Sequence, residues 1–65
     1  MKSYSSREII QILIDDGWHL ERVRGDHHQF KHPTKKGLIT VTHPKKDMPI
    51  GTVKKIFRDA ELVIH

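Results

Sequence analysis

Apolar residues along this 65-residue chain change their period twice. Ile9, Ile10, Leu13 and Ile14 recur at helical spacing, and Ile12 widens the stripe. Ser5-Ser6-Arg7-Glu8 ahead of them fits a capping box, with Ser5 at the N-cap and Glu8 three residues on. Asp15-Asp16-Gly17 ends the run, Gly17 suiting the left-handed position that closes a helix. The pattern predicts a helix over residues 6–16. The period then falls to two. Trp18 to Arg24 reads as a strand, with Trp18 and Leu20 on its buried face. Gly25-Asp26 is a two-residue hairpin signal, and His27 to His32 forms a second strand that stops at Pro33, which has no N–H for a ladder. After the Thr34-Lys35-Lys36-Gly37 turn, the β-branched run Leu38 to His43 is a third strand, closed by Pro44. Ile39 and Val41 share a core face with Phe30 only if an even number of residues connects the strands. Beyond the polar link Lys45-Lys46-Asp47, Pro49 introduces a helix over residues 50–61 with Val53, Ile56, Phe57 and Ala60 on one stripe.

The expected class is α+β: one domain over residues 1–65, in the order α-β-β-β-α, with a three-stranded antiparallel sheet. The simplest packing lays both helices on one sheet face and leaves the other open. Neighbouring strand side chains point to opposite faces, so His27 and His28 diverge. With Phe30 in the core, His28 points inward as a structural residue. His27 then points outward with Gln29 and Lys31. Two related segments, His32-Pro33-Thr34-Lys35-Lys36 and His43-Pro44-Lys45-Lys46, each end a strand. They are expected to gather their lysines at one sheet edge.

Size limits the core to a few aliphatics, Trp18 and two phenylalanines. The absence of cysteine excludes a disulfide framework and thiolate zinc sites. Neither a signal peptide nor an apolar span is visible, and a cytoplasmic location is the expectation. The net charge of +4 is unevenly spread. Residues 17–46 carry seven lysines and arginines against Glu21 and Asp26, together with five of the six histidines. A basic patch of this kind favours a polyanionic partner, nucleic acid ahead of a membrane surface.

Six histidines suggest a metal, but the spacing argues against one. His28 and His32 share a strand face yet stand roughly 13 Å apart at about 3.3 Å per residue. His43 could approach one of them, and two ligands make a weak site. No cofactor is expected. Acid–base chemistry on RNA suits the residues better. An imidazole can take the proton of a ribose 2′-hydroxyl, which then attacks its own phosphate without a metal. Asp26 is placed to orient the His27 ring. Arg24, Lys31, Lys35, Lys36, Lys45 and Lys46 are candidate phosphate contacts. An outward histidine beside a turn, taken on its own, reads more simply as an exposed turn residue with no chemistry.

The motifs decide between these readings. Gly17-Trp18, Arg22, Gly25-Asp26-His27-His28-Gln29-Phe30-Lys31-His32-Pro33, Val41-Thr42-His43-Pro44-Lys45-Lys46-Asp47 and Pro49-Ile50-Gly51-Thr52-Val53-Lys54-Lys55-Ile56 together resemble the HicA toxin family, from about residue 5 to residue 62. The resemblance implies a small bacterial toxin with a fold like the double-stranded-RNA-binding domain. It implies a ribosome-independent endoribonuclease acting on mRNA and neutralised by a HicB antitoxin that covers the active site. The family's catalytic histidine falls on His27 and its turn glycine on Gly25. Two positions depart from the family pattern. Asp26 stands where serine is commoner, and Ala60-Glu61-Leu62 replaces Ala-Gly-aliphatic, so the last helix is expected to run on or end differently. Typical domains of this fold bind RNA without cutting it, which makes a noncatalytic RNA-binding module the alternative. A third reading is a protein-interaction domain for an acidic partner. Salt-dependent RNA binding separates it from the other two.

Overall fold

The computed structural model describes residues 3–62; residues 1–2 and 63–65, at the two ends of the expected domain, lie outside the described residues. The order is α1 (Ser6–Asp15), β1 (His19–Arg24), β2 (His27–Lys31), β3 (Ile39–Thr42) and α2 (Ile50–Asp59). The strands form one antiparallel sheet in the order β1-β2-β3. The α+β class and element order agree with the sequence pattern, while several elements are shorter than expected.

The ends of the elements explain why. Ser5 caps α1 in a complete capping box with Glu8. At the other end the Gly17 N–H bonds to the Ile14 carbonyl, and the Trp18 N–H to the Leu13 carbonyl, with Gly17 at φ +103°. This is a Schellman closure, and it removes Trp18 from β1. The same closure ends α2. The Glu61 N–H reaches the Arg58 carbonyl and the Leu62 N–H reaches the Phe57 carbonyl, with Glu61 at φ +54°. Glu61 thus occupies the left-handed position that glycine would hold more cheaply. The helix stops at Asp59 instead of continuing to residue 61.

Pairing of Phe30 with Ile39 and of His28 with Val41 puts these four residues on one face. There Phe30, Ile39 and Val41 meet Ile9 and Leu13 of α1 and Val53, Ile56 and Phe57 of α2 in a common core with Trp18, Met48 and Ala60. Ile39 and Val41 therefore do share the core face with Phe30. Both helices make their principal sheet contacts with β3, so β1 is left as an uncovered edge. Leu20 lies opposite Phe30 yet is 51% exposed, and Ile14 of the expected α1 stripe is 49% exposed. The buried face of α1 is narrower, built from Ser6, Ile9 and Leu13.

Two polar clusters tie the loops down. In the first, the His32 Nδ1 accepts the Thr34 and Lys35 backbone N–H groups, so its Nε2–H donates to the Asp16 carbonyl at 2.8 Å. The Trp18 indole N–H donates to the Asp16 carboxylate at 3.2 Å. The Lys35 ammonium donates to the same carboxylate at 2.6 Å and to the Ala60 carbonyl at 3.0 Å. In the second cluster, the Ser6 N–H bonds to the Lys45 carbonyl and the Met48 N–H to the Tyr4 carbonyl. These bonds fasten the β3–α2 loop to the start of α1.

Candidate active site and basic cleft

Only Gly25 of the two-residue β1–β2 turn has a positive φ, +60°, as a type II′ hairpin turn requires. The turn sets Arg24 opposite His27, and β3 adds Thr42 on the other side. One row across the open face therefore reads Arg24, His27, Thr42. The next reads Arg22, Gln29, Thr40, and the third pairs His19 with Lys31. The His27 side chain is 58% exposed, as the alternation of the strand predicts. Its Nε2 lies 3.7 Å from an Asp26 carboxylate oxygen, which is ion-pair distance and longer than a hydrogen bond. The Asp26 carbonyl accepts the His43 N–H at 2.7 Å, joining the turn to the end of β3.

His28 points to the helix side and is half-buried, its ring edge-to-face with His43 at 5.0 Å and 89°. His43 therefore does approach His28. Its Nδ1 lies 2.7 Å from the Ser6 Oγ, which also accepts the Lys45 N–H at 2.8 Å. Among the described residues no group of three or more His, Asp or Glu side chains converges as metal ligands do.

The lysines do not gather at one edge. Because β2 and β3 are antiparallel, their C-terminal ends lie at opposite ends of the sheet. Lys45 and Lys46 follow β3 at the His27 end, while Lys35 and Lys36 follow β2 at the far end. Lys35, expected among the phosphate contacts, is engaged by Asp16 and Ala60. Lys36 is exposed but remote from His27 in this register. Arg24 and Lys31 do share the open face with His27.

Three features escaped the sequence reading. A bulge at Glu21 shifts the register between Leu20 and Arg22, so Arg22 and Arg24 turn to the open face. Thr40 and Thr42 join that face through the β3 register, which the sequence left unset. Finally, Arg7 meets Lys45 and Lys46 across a cleft of about 570 Å³, lined also by Ser5, Ser6, His43 and Pro44. No local signal links Arg7 to lysines nearly forty residues away.

A small basic α+β domain in the order α-β-β-β-α, with an exposed histidine at a hairpin end, is the class of protein that the fold and site define. The family description "HicA toxin of bacterial toxin-antitoxin" matches residues 6–62, and the chain belongs to that family. It is accordingly the toxin of a toxin–antitoxin pair, and an antitoxin partner is implied. No curated protein matches the chain. Among the described residues no helix is long and apolar enough to cross a membrane.

Proposed function

We propose that this toxin is a metal-independent endoribonuclease that cuts mRNA in the bacterial cytoplasm, with His27 as general base. The observation that carries the reading is the position of His27, exposed on an open sheet face with Arg24 and Thr42 as its cross-strand neighbours. His27 takes the proton from a ribose 2′-hydroxyl. The 2′-oxygen attacks the adjacent phosphorus, the bond to the 5′-oxygen breaks, and that oxygen takes a proton from water. The products are a 2′,3′-cyclic phosphate and a 5′-hydroxyl. Arg24, one strand over, is placed to balance charge on the phosphate as it develops. Lys31, four residues along β2 on the same face, engages the backbone further off. Gly25 holds the turn in a backbone conformation that other residues adopt only with strain. Asp26 stands beside the imidazole at ion-pair distance, without a hydrogen bond to it.

A HicB-type antitoxin neutralises this activity by burying His27 and setting carboxylates against the basic face. Mass spectrometry of the cut ends tests the chemistry. A cyclic phosphate is expected, and a 3′-hydroxyl would rule out attack by the 2′-oxygen. The noncatalytic RNA-binding reading uses the same face and predicts salt-sensitive binding with no cut ends at all.

A further inference from the structure

Arg7, Lys45 and Lys46 converge on one cleft, and among the described residues none of the three side chains is in an ion pair or hydrogen bond. The acidic residues next to them in the chain are turned elsewhere. Glu8 accepts the Ser5 N–H, and Asp47 accepts the Ser3 hydroxyl at 2.7 Å. Lys35, by contrast, is neutralised by Asp16. The fold thus spends one lysine on itself and leaves three cations facing a shared space.

The cleft opens on the helix side of the sheet, next along the chain to the proposed catalytic row. Thr42, the cross-strand neighbour of His27, is followed directly by His43, Pro44, Lys45 and Lys46, all but Thr42 lining the cleft. The His43 N–H to Asp26 carbonyl bond holds that loop against the hairpin turn. The lining has charged and hydroxyl groups and no aromatic ring apart from His43, so it suits a sugar–phosphate backbone better than a base.

We propose that this cleft is a phosphate subsite for single-stranded RNA, receiving backbone phosphates that flank the bond held at His27. The assignment rests on the ribonuclease reading for the placement of the scissile bond. A single strand is required because in-line attack by the 2′-oxygen needs a sugar–phosphate geometry that a regular duplex does not allow. Arg7 supplies a planar fork and the two lysines supply point charges, a combination that holds phosphate without reading sequence.

Binding is measured in the His27→Ala background, where bound RNA stays intact. Labelled oligonucleotides of one sequence, two and eight nucleotides long, are titrated at several salt concentrations against that protein and against the same protein carrying Arg7→Ala, Lys45→Ala and Lys46→Ala. Both backbone hydrogen bonds of Lys45 survive substitution, and thermal unfolding checks that the fold does too. Each phosphate contact on a single strand contributes about 0.7 to the salt slope. The triple substitution is expected to reduce the slope by about 2 and to abolish most of the affinity gained on lengthening the RNA. Arginine or lysine exchanges at the three positions should keep the slope. An unchanged slope would overturn the subsite, even if the parent protein cuts RNA through His27. A reduced slope in a protein whose parent never cuts RNA would keep the subsite and discard the nuclease.

Discussion

Replacing Lys35 with methionine tests whether a loop lysine can hold a fold this small together. The substitution keeps the stem and removes the ammonium, which donates to the Asp16 carboxylate at 2.6 Å and to the carbonyls of Ala60 and Glu61 at 3.0 and 3.4 Å. Those partners belong to the ends of both helices, while Lys35 belongs to the β2–β3 loop. One side chain therefore links three parts of the chain. A hydrogen bond to a charged group contributes about 1.5–3 kcal/mol, and the contributions of one ammonium do not add. The pair is roughly one quarter exposed on each side, at 23% and 27%, which moderates its strength. A loss of about 2 kcal/mol follows, and in a domain of this length it lowers Tm by about 8–16 °C.

The assay is thermal unfolding followed by far-UV circular dichroism, with Lys36→Met as the control. Lys36 is exposed, and its loss should cost no more than about 0.5 kcal/mol. Equal melting of the two variants would refute the clip. A second signature is pH. The hydrogen bond from Lys35 holds the Asp16 carboxyl below its ordinary value of 3.8, with the Lys35 charge and the Trp18 N–H adding and burial opposing. A lowered folded pKa gives stability that is present above the unfolded value and is lost as pH falls through the folded one. The parent should lose this increment below about pH 4. Lys35→Met lacks it at every pH, so the two stability curves should draw together in acid.

Glu61→Gly should stabilise the fold by about 1 kcal/mol, because it relieves a left-handed residue while keeping both backbone bonds of the closure. A lower Tm would show that the Glu61 side chain compensates for its backbone. Ser6 is fully buried and its Oγ serves both the Lys45 N–H and His43, so Ser6→Ala should destabilise by about 2 kcal/mol in chemical denaturation. A value near zero would mean that these groups find other partners. Leu20→Ser should change stability by less than about 0.5 kcal/mol, since β1 lies outside the cover of the helices.

What the sequence made legible was local. The capping box, the Gly17 closure and the Gly25 turn each depend on neighbours within a few residues, and each was readable. The outward turn of His27 followed from strand parity alone, with Phe30 as the anchor. Long-range consequences were not readable. Parity through β1 failed because the bulge at Glu21 inserts an extra residue, which no composition signal marks. The two lysine pairs looked equivalent as text, yet antiparallel pairing sends them to opposite ends of the sheet. Lys35 read as a phosphate contact because its partners, Asp16 and Ala60, are 19 and 25 residues away. Leu20 read as core because alternation predicts which face a residue takes, not whether a helix covers it.

The central claim is that His27 performs the chemistry. Purified parent protein and His27→Ala are incubated with one labelled single-stranded RNA in the presence of EDTA, and the products are resolved by length. Cleavage by the parent with none by His27→Ala is the predicted result. Equal cleavage by both proteins, or salt-sensitive binding by both with no cleavage, would contradict it.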